Sequence, residues 1–223
     1  MMIQRYKNRL DSNIKDISGF TWINEDFRNK IFLNCKKLEW NSLRPNIILQ
    51  LYEEKIITLD DCEARDLKYF LENKSELKKT DPDMYNAFKI RSNILGIFNR
   101  GDMFGSLITQ YTKLYYTELI QNNPNIFYID VDVIYYTGEI DYFDLLDLGV
   151  DYNISDVDSF IFSAKKRYIE ITDSRTKVIG YLRRNDLSSD KNIEIEGQLY
   201  SIDNLISQMK GLLREQQINS VMN

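Results

Sequence analysis

The stretch Phe127-Tyr128-Ile129-Asp130-Val131-Asp132-Val133-Ile134-Tyr135-Tyr136-Thr137 decides how this chain is read. Apolar, β-branched and aromatic runs flank two acids, a pattern that favours two strands with the acids at the turn of a hairpin. On an extended backbone Asp130 and Asp132, two residues apart, share a face. Two carboxylates at one lip of a sheet suit a hard divalent cation. The same spacing also describes a solvated turn. A metal site therefore needs a third carboxylate from another segment and a cation for phosphate.

The chain has 223 residues, enough for one sizeable core or a core with a small appendage. Its 15 Tyr and 11 Phe argue against disorder. The net charge of -5 argues against a uniform coat for nucleic acid, yet it hides a local asymmetry. Residues 139–158 carry seven acids and no base, whereas residues 163–184 carry seven bases and two acids. Segregation of this kind suits a protein that holds a polyanion on one face. Cys35 and Cys62 have neither metal-site spacing nor disulfide density, and no signal peptide opens the sequence. The expected location is cytoplasmic or otherwise intracellular, with no membrane span. No histidine is present, which excludes a His-dependent triad, an imidazole base and a His-ligated zinc site. Chemistry must come from carboxylates, Lys, Arg, Tyr and a borrowed metal.

Taken in order, residues 1–30 offer only Asn24 as a cap for a helix running through Phe27 and Ile31. Residues 31–40 read as a strand, and Ser42-Leu43-Arg44-Pro45 as a turn entering a helix whose first turn tolerates Pro45. Glu39 thus sits near the end of a strand and just before a helix N-terminus. Residues 60–99 read as a helical hairpin, capped at Asp60 or Asp61 and broken at Thr80-Asp81-Pro82-Asp83. Arg65, Lys68, Lys89 and Arg91 give both helices basic side chains, and Lys89 and Asn93 stack four residues apart. A helix from Phe104 to Leu119 follows, and Asn122-Asn123-Pro124-Asn125 stops it. Residues 167–171 and 178–182 read as paired strands around Asp173-Ser174-Arg175, residues 183–200 as polar with a loop, and Ser201 as the cap of a last helix.

The order of these pieces carries a resemblance. Glu39-Trp40-Asn41-Ser42-Leu43-Arg44-Pro45-Asn46-Ile47-Ile48 is similar to the Asp-x-x-Ser-Leu-Tyr-Pro-Ser-Ile-Ile motif of family B DNA polymerases, most closely their protein-primed phage branch. Lys89 to Gly96 resembles the fingers motif Lys-x-x-x-Asn-Ser-x-Tyr-Gly, one residue short and without its Tyr. Ile108-Thr109 falls where that family has Ile-Thr, Tyr128 to Val133 resembles Tyr-Gly-Asp-Thr-Asp-Ser, and Lys166-Arg167-Tyr168 matches Lys-x-Tyr. The resemblance covers residues 31–182, and nothing resembles the proofreading exonuclease.

The resemblance implies an α+β fold: a polymerase-like palm with a small antiparallel sheet and a two-helix fingers hairpin. The implied organisation is an extension at 1–30, palm at 31–58 and 104–182, fingers at 59–103, and a thumb remnant or partner-binding segment at 183–223. It implies template-directed nucleotidyl transfer in a miniature or split enzyme, with Glu39 and Asp132 gripping Mg2+ or Mn2+ and Asp130 contributing more weakly. Lys89, Arg65, Asn93 and Arg44 would bind the nucleotide, and Lys165, Lys166, Arg167 and Tyr168 the DNA. Primer–template DNA and deoxynucleoside triphosphates are the implied partners, with exonuclease, thumb or processivity functions on a separate chain and a phage or virus as source. Three departures keep alternatives open: Glu39 replaces Asp, Arg44 replaces Tyr, and Val131 and Val133 replace Thr and Ser. They fit equally a catalytically silent module that binds nucleic acid or a replication partner. A viral structural protein is the third reading.

Overall fold

A computed structural model describes residues 7–10, 19–97, 103–141, 152–180, 192–195 and 198–221. The chain builds two units from interleaved stretches. One comprises Met1–Phe20, Trp40–Asn123 and Asp141–Tyr152, the other Thr21–Glu39, Pro124–Ile140 and Asn153–Asn223.

The first unit is helical. Helix α1 (Leu43–Glu53) buries Leu43, Ile47, Ile48 and Leu51. Helix α2 (Asp61–Thr80) begins with a capping box: the Asp60 carboxylate accepts from the Glu63 amide at 2.8 Å, and Glu63 Oε2 accepts from the Asp60 amide at 3.3 Å. Asp81 ends α2 and caps α3 (Pro82–Ile97), accepting from the Met84 amide at 2.9 Å, with Pro82 pre-set for the first helical position. Phe70 of α2 meets Tyr85 and Phe88 of α3, so apolar faces close the hairpin that the turn signals announced. Helix α4 (Met103–Asn122) turns Leu107, Ile108, Tyr111, Tyr115 and Leu119 inward at helical spacing.

The second unit is built on seven strands in the order β1-β3-β4-β2-β5-β6-β7. They are β1 (Thr21–Ile23), β2 (Phe32–Trp40), β3 (Ile126–Asp130), β4 (Val133–Tyr136), β5 (Tyr152–Ala164), β6 (Arg167–Thr172) and β7 (Arg175–Ile179). Pairs β1–β3, β3–β4, β4–β2, β5–β6 and β6–β7 are antiparallel. An aromatic cluster of Phe127, Tyr128, Tyr135, Phe160, Phe162 and Tyr168 packs with Cys35 and Val157. A second cluster joins Ile161, Ile169 and Ile171 to Ile202, Leu205 and Met209 of α5 (Ile202–Val221). Residues 160, 162 and 168 thus enter one cluster and residues 161, 169 and 171 the other, as strand alternation requires. Ser201 Oγ accepts from the Asn204 amide at 3.2 Å, the cap expected for α5.

One expectation is corrected, and the structure fills in two regions that the sequence left open. Asn24 caps only a 3-10 turn, Glu25–Phe27, because its side chain accepts from Asp26 N and the chain then extends into β2. The polar segment 183–200 holds strands within its described part: β8 (Asn192–Ile195) pairs with β9 (Gln198–Ser201). The end of the acid-rich stretch, from Tyr152 on, is part of β5, whose Asp156 is exposed while Val157, Ser159 and Phe160 are buried.

Candidate functional site

The β3–β4 hairpin closes on the pair Asp130–Val133, leaving Val131 and Asp132 as a two-residue turn. Val131 has φ 55°, a left-handed conformation that a β-branched residue adopts only at a steric cost. The two acids are therefore not neighbours along one extended face. Asp130 ends the strand, and Asp132 belongs to the turn. What the sheet does align is a row across four strands. Thr21 pairs with Asp130, Asp130 with Val133, and Val133 with Glu39, so all four stand on the same face of β1, β3, β4 and β2. The Thr21 hydroxyl donates to Asp130 Oδ1 at 3.3 Å. Glu39 lies one residue before the end of its strand and shortly before a helix, as its sequence position indicated.

The neighbouring row contains Tyr128, Tyr135 and Lys37, and here the structure adds residues that sequence reasoning missed. Lys37 is nearly buried, yet its Nζ lies 3.7 Å from Glu39 Oε2 and 3.5 Å from Glu170 Oε1. Glu170 is fully buried. It accepts a hydrogen bond from the Tyr135 hydroxyl, and Arg175 Nη2 lies 3.6 Å from its Oε1. Burial first, and then the adjacent Glu170 carboxylate, push the Tyr135 phenol far above its ordinary range, so it stays protonated and donates. Burial also pushes the nearby Cys35 thiol up to about 12.

The oxygens of Glu39, Asp130 and Asp132 are hard donors of the kind magnesium takes. In the described arrangement two of them are engaged by neighbouring groups. Glu39 is held against Lys37, Asp130 receives Thr21, and among the described residues no three Asp, Glu, Cys or His side chains form a group that could hold a metal ion.

The Lys-x-Tyr element runs from the β5–β6 turn into the start of β6. Lys165, Lys166 and Arg167 are exposed, and Lys166 takes a left-handed φ of 58°. Tyr168 is buried in the aromatic cluster and receives Lys177 over its ring at 5.3 Å. Gly180 matters here: a Cβ on it would stand 2.0 Å from the Lys166 carbonyl oxygen. Only glycine admits that approach.

The helical unit contains a cavity of about 310 Å³, lined by Trp40, Asn41, Ser42, Lys74, Lys78 and Tyr85 among others, with no carboxylate among them. Ser42 adopts a left-handed conformation and makes no side-chain cap to α1. The helix therefore presents its N-terminal partial charge there without a capping oxygen. Lys74 Nζ donates to the Asn41 carbonyl oxygen at 3.2 Å. Trp40, 4% exposed and edge-on to Tyr115 and Tyr152, has a buried indole N–H without a hydrogen-bond acceptor among the described residues. These groups are donors and cations, the complement of an anion.

The sequence pointed instead to Arg65, Lys89, Asn93 and Arg44, none of which lines this cavity. Arg65 is exposed and reaches Cys62 Sγ at 3.8 Å. It lies nine residues before Lys74, roughly half a turn out of phase, so the two occupy opposite sides of α2. Lys89 is exposed on α3, and Arg44 is half-buried in the first turn of α1. Asn93 falls where α3 side chains lie outside the described residues. A signal for Lys74 was present: it continues the inward stripe Leu67, Phe70, Lys74, Leu77, a cation in an apolar position.

No protein-family model matches the sequence, and no curated protein does. Solved structures do. The Phi29 DNA polymerase complexed with primer-template DNA is similar at a TM-score of 0.50 and 15% identity, over 90% of this chain and 52% of that one. The same polymerase complexed with single-stranded DNA gives 0.48 and 16%, over 84% and 50%. The family B DNA polymerase of the archaeon Pyrobaculum calidifontis gives 0.49 and 16%, over 80% and 32%. The chain thus spans about half the length of the phage enzyme and about a third of the archaeal one. The fold is polymerase-like.

Proposed function

We propose that this chain is a polymerase-related module that binds the phosphates of nucleotides and nucleic acid, with the helical cavity as its triphosphate site. The observation that carries this reading is the cavity itself: two lysines and an uncapped helix N-terminus line it beside Trp40, with no carboxylate among the lining residues. A triphosphate offers acceptor oxygens to each of these donors. Lys165, Lys166 and Arg167 would hold duplex phosphates, positioning nucleic acid without reading its sequence. The Phi29 enzyme in the matching structure holds primer-template DNA, which supports the same partner for this chain. Calorimetric titration with deoxynucleoside triphosphate in a metal-free buffer tests the cavity. Saturable binding is expected, and its absence contradicts the reading.

A second reading, template-directed nucleotidyl transfer with Mg2+ or Mn2+, is favoured by the row Asp130, Val133 and Glu39 beside Asp132. It requires Glu39 to leave Lys37. Primer extension with each ion separates the two readings: extension supports transfer, and binding without extension supports the silent module.

A further inference from the structure

A nearly buried lysine set among carboxylates is seldom incidental, because an ammonium leaves water only when fixed charges hold it. We infer that Lys37 is the resident cation of the Glu39 row, supplying through the chain itself the positive charge that a divalent ion would otherwise bring. The ammonium stands between Glu39 and Glu170, 3.7 Å and 3.5 Å from their nearer oxygens. Lys37 precedes Glu39 by two residues on β2, so register places both on one face, and turning Lys37 away would shift the whole strand. Glu170 is buried and anchored by the Tyr135 hydroxyl, so it draws Lys37 inward. A metal at Glu39 must approach a fixed positive charge. It must also detach an ammonium whose loss leaves Glu170, among the described residues, with only Tyr135 and the exposed Arg175. Lys37 is a positioning residue: it holds the Glu39 carboxylate against itself and competes with divalent ions for it. This goes beyond the phosphate-binding reading, rests on the sheet unit alone, and stands or falls without it.

Paramagnetic broadening by Mn2+ tests the inference, read at the amide signals of Glu39, Asp130, Asp132 and Val133. In the wild type and in Lys37→Arg, which keeps the charge, no saturable broadening is expected at millimolar ion. Combining Lys37→Met with Glu170→Gln removes the cation and the buried charge that needs it. This double variant should bind Mn2+ at these amides more tightly by about tenfold or more, the usual scale of a coupling between neighbouring sites. Adding Glu39→Gln should abolish the gain. Tight, localised binding by the wild type overturns the inference, as does a folded double variant that gains none. Should the double variant not fold, the wild type and Lys37→Arg decide alone: saturable broadening in either overturns it, and none in both supports it.

Discussion

The Lys166 backbone N–H donates to the Tyr128 hydroxyl at 2.8 Å, tying the basic β5–β6 turn to the strand that ends at Asp130. Tyr128 is fully buried, so this contact fixes a surface turn from inside the aromatic cluster. Tyr128→Phe should cost about 1 kcal/mol of stability, the net value of one hydrogen bond. It should weaken duplex DNA binding several-fold without changing the slope of log affinity against log salt, because no charge is removed. Replacing Lys165, Lys166 and Arg167 together with Ala should instead lower that slope, since each lost phosphate contact releases fewer counterions. Filter binding across salt concentrations separates the two effects, and an unchanged affinity in the triple variant refutes the face.

Val131 holds a left-handed φ in the hairpin turn. Strain of this kind costs on the order of 1–3 kcal/mol, and glycine returns part of the gain through its greater freedom when unfolded. Val131→Gly should therefore raise stability by about 1 kcal/mol in a denaturant titration. A loss of stability would mean that the valine side chain contributes more through packing than its backbone costs.

The two cysteines should differ sharply. Cys62 is exposed, whereas Cys35 is buried with its thiol pushed up to about 12, chiefly by desolvation. Only thiolates react, so one thiol should be modified in the folded chain and the second only on unfolding. The pH dependence follows in sign. The folded chain keeps the Cys35 proton up to about 12, while an unfolded thiol loses it from about 9, so stability falls as pH rises through that interval. Tyr135, raised in the same direction, adds to the loss at higher pH. Chemical denaturation at alkaline pH should show a shallower decline for Cys35→Ala than for the wild type.

Much of the fold was legible because local signals agree with it. The alternating runs around Asp130, the Asp60 cap with Glu63, the Asp81-Pro82 break and the stripe of α4 each fix their element within a few residues. Strand β5 was hidden because Asp156 and Asp158 look like part of a solvated charge run, while Val157 between them and Ser159 and Phe160 after them are buried. Lys37 and Glu170 were illegible for a different reason. They lie 133 residues apart, and only the sheet brings them together. Arg65 and Lys89 drew attention as helical cations, yet it is the phase of Lys74 on α2 that carries it to the cavity.

The claim that the helical cavity binds phosphates has a direct reporter in Trp40, one of the residues that line it. The chain has two tryptophans, so Trp22→Phe leaves Trp40 as the only indole. Its fluorescence should change saturably as inorganic tripolyphosphate or deoxythymidine triphosphate is added without divalent ions, and Lys74→Met with Lys78→Met should abolish the change. No change in the parent chain, or equal affinity in the double variant, would contradict the account.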